Sequence, residues 1–144
     1  MARINATSAG VRVEGLKQVS AALRKYDRDL QKELKDAGME VAEGVAQTAR
    51  GLASSQGGVA AKTAPSIRAH GYTTGAAVSL GGSGYPFAGG AEFGAVQYKQ
   101  FKPWRGSDSS AGYFLYPAIR QDKDEAEQAY SDALDRLARK AGLT

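Results

Sequence analysis

Between residues 14 and 53 the apolar positions recur every three or four residues, which is the period of one helical face. The stripe runs through Leu16, Val19, Leu23, Tyr26, Leu30, Leu34, Ala37, Val41, Val45, Thr48 and Leu52. The pattern predicts one long helix or, because Asp27 is a good N-cap residue, two helices over about 15–26 and 28–53. Gly38 and Gly44 weaken the second helix unless a neighbour approaches closely there.

The regular pattern ends near residue 51, where glycine, serine and alanine replace the large apolar residues. Residues 51–64 show no period, so their composition predicts a flexible loop. Two short runs, 66–70 and 76–80, flank the turn-like segment 71–75 and predict an antiparallel pair of strands. The glycine-rich segment 81–84 predicts another turn.

Aromatic residues are concentrated between positions 85 and 116, which hold nine of the twelve in the chain. A further strand is predicted at about 92–101, before the polar segment 105–112. The last helix is predicted over 117–141, since Pro117 suits a first turn and Gly142 suits a C-terminal cap. Its acidic residues come early and its basic residues late, as the helix dipole favours.

Together these elements predict an α+β fold: a long N-terminal helix or two helices, a small antiparallel sheet with glycine-rich loops, and a C-terminal helix. Residues 1–13 are predicted to be an arm that becomes ordered only against a sheet edge or a partner. Residues 14–144 are predicted to form a single domain that includes the flexible loop 51–64.

Composition excludes several function classes. The chain has no Cys and one His, so disulfides, thiolate metal sites and His-rich metal centres are excluded. The net charge of +4 comes from the first half of the chain, where residues 1–72 hold 11 basic and 7 acidic residues. Between residues 25 and 36 the cations alternate with acids, a pattern typical of a solvated helix face rather than of a DNA-binding surface. No apolar run approaches the roughly 20 residues of a membrane span, and the N-terminus lacks a signal-peptide core, so we expect an intracellular protein without a membrane partner.

No motif predicts an enzyme, a cofactor or a metal. The Gly81–Gly84 run lacks the following Gly-Lys-Ser/Thr of a phosphate loop. His70 has no acidic neighbour in sequence and is interpreted as a surface or edge-strand residue. The acids at 122–127 have helical spacing rather than the alternating ligands of a calcium loop. Glu92 stands among aromatic residues without a second carboxylate or a His to act with it. A structural hydrogen bond or a subunit contact is therefore a better interpretation than a catalytic role.

The aromatic residues interleaved with Lys99, Lys102 and Arg105 have two interpretations. Such residues stack the bases of single-stranded nucleic acid, and they are also enriched at the centre of protein–protein interfaces. The second interpretation is favoured here. The residues expected in the core or in a subunit interface are Phe87, Glu92, Phe93, Phe101, Trp104 and Arg105.

Several short motifs, in order, resemble a family of phage proteins. They are Gly15-Leu16 with Leu23, Ala49-Arg50 at a helix end, Phe87-Ala88 followed by Ala91-Glu92-Phe93-Gly94, and Tyr113-Phe114-Leu115-Tyr116-Pro117-Ala118-Ile119-Arg120. In this order they resemble the tail-completion or head–tail joining minor tail proteins of siphophages, the family named after the tenth gene product of a lambdoid phage. The resemblance covers roughly residues 14–140.

The resemblance implies a non-enzymatic virion protein of the phage neck, assembled in the host cytoplasm. Such a subunit forms a homo-oligomeric ring that ends or completes the tail and joins it to the head, in contact with tail-tube and head-completion or connector proteins. Viral DNA passes through the ring without specific binding, and no cofactor is involved. The residues themselves leave one alternative from another class, a small basic nucleic-acid-binding protein.

Overall fold

A computed structural model of the protein describes residues 8–11, 28–106, 111–140 and 142, with side chains from residue 29 onward. Its elements are β1 (Ser8–Val11), α1 (Arg28–Gln56), α2 (Gly58–Thr63), a 3-10 turn (Ala64–Ser66), β2 (Arg68–Tyr72), β3 (Gly75–Ser79), α3 (Ala88–Phe93) and α4 (Leu115–Lys140). The fold is α+β, as predicted.

The sheet has three antiparallel strands in the order β1-β3-β2. The hairpin β2–β3 was predicted, and its strands begin and end within two residues of the expected positions. The strand β1 lies in the predicted N-terminal arm and pairs Ser8 with Ser79 and Val11 with Ala76. The arm therefore reaches a sheet edge, which is the condition under which an isolated terminal segment becomes ordered.

The helix α1 packs between the hairpin and α4. Its described part, Arg28–Gln56, agrees with the predicted helix 28–53, whereas the predicted break at Asp27 and the predicted helix 15–26 lie outside the described residues. A Cβ on Gly71 of the hairpin would lie 2.1 Å from the carbonyl oxygen of Lys35, and one on Gly38 would lie 2.8 Å from that of Gly75. The backbones of α1 and the hairpin thus lie so close together that a side chain would not fit at position 38. This is the close approach that the sequence required to explain Gly38.

The helices α1 and α4 run antiparallel. Thr48 donates a hydrogen bond of 2.6 Å to Asp122 near one end of the pair, and Lys140 is paired with Glu33 at the other. Leu34, Val45 and Tyr130 are buried in the core below this pair. The predicted helix 117–141 is confirmed as far as Lys140, although it begins at Leu115; residue 141 lies outside the described residues.

The prediction of a flexible loop at 51–64 is wrong. α1 continues to Gln56, and α2 follows after Gly57, whose φ of 68° turns the chain between the two helices. Alanine is the best helix former, and Ala53, Ala60 and Ala64 are buried in the core. The absence of large apolar residues therefore indicates close packing here rather than a mobile segment.

The prediction of a strand at 92–101 is also wrong. Residues 88–93 form the short helix α3, and the chain leaves it at Gly94 with a φ of 81°. Residues 94–106 then form an irregular loop, which we call the aromatic loop. Contacts made by Glu92 and by this loop, described below, override the low helix propensity of Gly89 and Gly90.

Candidate functional site

A fully buried carboxylate joins α3 to the start of α4. Glu92 has no exposed surface, and its Oε1 accepts hydrogen bonds from the backbone N–H groups of Tyr113, Phe114 and Leu115 at 2.7, 2.8 and 3.1 Å. Its Oε2 accepts from Leu115 and Tyr116 at 2.8 and 3.0 Å. We call this arrangement the Glu92 clamp.

The Glu92 clamp caps α4 from a distance of 21 or more residues along the chain. The first N–H groups of a helix have no partner within the helix, and they carry the positive end of its dipole. Most helices satisfy these groups with a neighbouring Ser, Thr, Asp or Asn. In this chain the carboxylate of Glu92 does so, which explains why α4 begins two residues before Pro117. The prediction of a structural hydrogen bond for Glu92 is confirmed.

Two opposing effects act on the ionisation of this carboxyl. Burial raises the pKa of Glu92 above its ordinary value, and the N–H donors of Phe114, Tyr116, Tyr113 and Leu115 act in the opposite direction. Burial and, to a smaller extent, the charge of Glu92 raise the pKa of the Tyr116 hydroxyl. All the donors around the carboxylate are backbone groups, so the clamp has the character of a structural cap rather than of an acid–base pair.

The Glu92 clamp holds both ends of the chain segment that contains the aromatic loop. Immediately after Glu92, the N–H of Arg105 donates to the carbonyl of Phe93 at 3.1 Å, and the N–H of Ala95 donates to that of Lys102 at 2.9 Å. A Cβ on Gly94 would lie 2.2 Å from the carbonyl oxygen of Pro103. The base of the loop is therefore closed by backbone contacts that leave no space for a side chain at position 94.

Tyr113 fastens the far side of the loop. Its hydroxyl donates a hydrogen bond of 2.7 Å to the carbonyl of Pro103. The guanidinium of Arg105 lies 3.8 Å from the centre of the Tyr113 ring, and the Lys102 ammonium lies 5.1 Å from it. Cation–π contacts at such distances contribute about 0.5–2 kcal/mol each. Two of the three cations of the loop are thus part of its internal structure.

The loop directs large apolar side chains into solvent. Val96, Tyr98 and Trp104 are 87%, 59% and 51% exposed, and among the described side chains only Met39 and Tyr72 are other large hydrophobic residues of comparable exposure. An apolar patch on a fastened loop is typical of an interaction surface.

Five of the six predicted interface residues, all except Phe87, lie at the aromatic loop or at its base. Glu92 and Phe93 are buried at the base of the loop, and Phe93 contacts Trp104 with ring centres 6.5 Å apart. The Phe101 ring lies against Gly90 and is half-buried. Arg105 lies over Tyr113, while Phe87 stands farther off, with its ring edge-on to that of Tyr85. None of the six belongs to the sheet.

Sequence reasoning missed Tyr113 as the residue that fastens the loop. In the sequence, Tyr113 is only an aromatic residue shortly before a predicted helix, and nothing there indicates a contact with the loop. His70, by contrast, lies where it was expected, half-buried on the edge strand β2, with its Nε2 2.7 Å from the Ser79 hydroxyl.

In the parts of the chain that the structure describes, no three His, Cys, Asp or Glu side chains are grouped as metal ligands. The same residues include no helix long and apolar enough to cross a membrane. The sequence matches no protein-family model, and searches of curated proteins and of solved structures found no match either.

Proposed function

We propose that this protein is a structural subunit of the neck of a tailed-phage virion. In this role it assembles into a ring that ends or completes the tail and joins it to the head, in contact with tail-tube and head-completion or connector proteins. The DNA passes through the ring without specific binding. The site has no catalytic part.

The observation that carries the proposal is the Glu92 clamp. The segments that most resemble the tail-completion family, Ala91–Gly94 and Tyr113–Arg120, are far apart in sequence, and the clamp brings them into direct contact. A buried carboxylate bonded to a helix N-terminus requires a Glu at one segment and a helix start at the other. Two weak motifs that meet in one contact support a common origin more strongly than either motif alone.

The aromatic loop supports an assembly role. Protein interfaces are enriched in Tyr, Trp and Arg at their centres, and the loop presents Tyr98 and Trp104 to solvent. Its base is fastened before any partner arrives, so little conformational entropy is lost on binding. This is the behaviour expected of a subunit that binds its neighbours repeatedly in one geometry.

The test is assembly of the purified full chain with phage tail tubes, followed by native mass spectrometry and electron microscopy. We expect closed rings, or protein at one end of the tubes. Trp104→Ala should reduce ring formation or tube binding at least fivefold, as for an interface hot spot. Tyr72→Ala removes an equally exposed aromatic side chain outside the loop and serves as the matched control. A chain that remains monomeric with and without tubes would contradict the proposal.

A second candidate function is binding of single-stranded nucleic acid. The observation in its favour is the interleaving of Lys99, Lys102 and Arg105 with aromatic side chains on the aromatic loop. Binding of this kind weakens steeply as salt rises, because phosphate contacts release counterions. A titration with single-stranded DNA at low and at physiological salt tests it, and an affinity that salt does not change excludes it.

A further inference from the structure

A groove runs between the middle sections of α1 and α4. It encloses about 470 Å³, and its apolar lining includes Val41 and Val45. Its acidic lining residues are Glu40, Asp122, Glu125 and Asp132, with Arg136 as the only cation among the lining residues. Met39 is exposed as well, but it lies outside the groove, on the side of α1 that faces Gly71 of the hairpin. The groove thus combines apolar side chains with a strong excess of negative charge.

The aromatic loop has the complementary composition. Residues 94–106 contain Lys99, Lys102 and Arg105 and no acidic residue, and their exposed apolar side chains are Val96, Tyr98 and Trp104. Complementary charge around matching apolar centres is what orients two protein surfaces and excludes wrong partners.

The aromatic loop of one molecule is held away from the middle of its own groove. The loop lies at the end of the helix pair where Lys102 donates a hydrogen bond to Gln56, the last residue of α1. Glu40 lies sixteen residues earlier in α1, which is about 24 Å along the helix axis. The loop is closed at its base by the contacts described above. The two surfaces of one subunit are therefore available to two different neighbours.

We infer that the aromatic loop of one copy docks in the α1–α4 groove of a second copy. Lys99 faces the groove carboxylates, and Tyr98 and Trp104 cover the apolar lining. Contact between two different surfaces is head-to-tail, and such contacts close into a ring when the rotation per subunit allows it. The inference rests on the proposed function for its biological setting, but the contact itself is a property of this chain.

Gly44 is consistent with a second molecule at this surface. It lies within the continuous helix α1, and no atom outside its own helix lies within 4 Å of the position of a Cβ there. The close approach of the hairpin explains why position 38 is a glycine. No contact with a described residue explains the glycine at position 44 in the same way. A side chain at position 44 would narrow the groove that the loop is proposed to enter.

Charge reversal of Lys99 and Glu125 tests the pairing in sedimentation velocity and native mass spectrometry. Both residues are exposed, and Lys99 is chosen because Lys102 and Arg105 hold the loop together. Lys99→Glu and Glu125→Lys should each weaken self-association about tenfold or more, because each places like charges opposite one another. The double variant Lys99→Glu/Glu125→Lys should recover most of the association. Where only tail tubes induce assembly, the same variants are compared by the protein mass bound to the tubes.

Two matched controls reverse charges that lie outside both surfaces. Lys62→Glu on α2 and Asp124→Lys, next to Glu125 on α4, should leave association within about twofold of the wild type, since only close charges couple strongly. An equal mixture of the two single variants should associate more strongly than either variant alone, because the reversed loop of one fits the reversed groove of the other.

The outcomes separate this inference from the proposed function. Rings or tube binding that the two reversals do not weaken, or weakening that the double variant does not reverse, overturn the loop–groove pairing and leave the neck function standing. Self-association that follows the charge pattern without any binding to tubes supports the pairing and contradicts the neck function. A wild-type chain that is monomeric at all concentrations and on tubes overturns both.

Discussion

Two buried polar side chains, Glu92 at the start of α4 and Tyr130 within α4, differ in whether their polar atoms are hydrogen-bonded. At the start of the helix, the Glu92 carboxylate accepts five hydrogen bonds from four backbone N–H groups. Near the middle, the Tyr130 hydroxyl is equally buried and finds no hydrogen-bond partner among the described residues. A position for a Cβ on Gly38 lies 3.3 Å from this hydroxyl oxygen, which shows how tightly it is enclosed.

The difference shows what each residue contributes. At position 92 the polar atoms themselves are needed, because they connect α3 to α4 and so set the position of the aromatic loop. At position 130 the ring volume is needed, because it fills the space between α1, α4 and the hairpin. The hydroxyl is tolerated there at the cost of an unsatisfied group, which is about 1–3 kcal/mol.

The strongest test of this comparison is removal of the carboxylate. Glu92→Ala leaves four buried N–H groups without an acceptor, so we expect a loss of about 3–5 kcal/mol in the free energy of unfolding, measured by urea denaturation at pH 7. Asp124→Ala, which removes an exposed carboxylate of α4 outside the groove, should change it by less than about 0.5 kcal/mol. A loss below about 1 kcal/mol for Glu92→Ala would mean that water satisfies the helix N-terminus.

A substitution at Gly38 tests how tightly the hairpin and α1 enclose the Tyr130 hydroxyl. A Cβ there would lie 2.8 Å from the carbonyl oxygen of Gly75, so Gly38→Ala should cost about 1–3 kcal/mol in spite of the better helix propensity of Ala. In the same helix, Gly44→Ala meets no atom and should stabilise the monomer by up to about 1 kcal/mol. Equal effects of the two substitutions in thermal unfolding would contradict the close approach of the hairpin.

The burial of the Tyr130 hydroxyl should change how the free energy of unfolding depends on pH. Burial raises the pKa of Tyr130 to about 12, from an ordinary value of 10.0. Because the folded state binds this proton more tightly, its stabilising contribution is complete below pH 10 and is lost as the pH rises to about 12. The stability difference between the wild type and Tyr130→Phe, followed by urea unfolding from pH 9 to about 12, should therefore change in favour of the variant. A difference that stays constant would show that Tyr130 titrates normally.

The smallest effect is expected for Tyr130→Phe at neutral pH. The substitution keeps the ring and removes the unpartnered hydroxyl, but it also removes the packing contacts of the enclosed oxygen. The two effects partly offset each other, so the free energy of unfolding should stay the same or rise by less than about 1 kcal/mol. Tyr113→Phe removes the hydroxyl that bonds to Pro103 and should instead cost about 1 kcal/mol. A clear loss for Tyr130→Phe would show that its hydroxyl does have a partner in the folded protein.

Much of the architecture could be predicted because it depends on local signals. The helix α1, the hairpin, the turn at 81–84 and α4 all follow from periodicity, turn residues and charge order. The predictions were wrong in the segments that consist mainly of small residues. In 51–64 and around α3, alanine and glycine leave no hydrophobic period, and only packing against other elements decides the conformation.

The candidate site was predictable in composition but not in geometry. The sequence shows an isolated Glu among aromatic residues and a cationic, aromatic segment after it. It does not show that Glu92 reaches across more than 20 residues to the start of α4, nor that Tyr113 fastens the loop. Contacts between distant segments depend on how the chain is folded back, which no local pattern encodes.

By itself the sequence determined the α+β class, the helical and hairpin segments, and the absence of cysteine chemistry, because each depends on residue type or on neighbours within one turn. Only the tertiary structure decided which polar groups are satisfied and which side chains stay exposed. Burial and hydrogen bonding are properties of pairs brought together by folding, and Glu92 with the N-terminus of α4 is such a pair. The exposed face of the aromatic loop follows from that pairing.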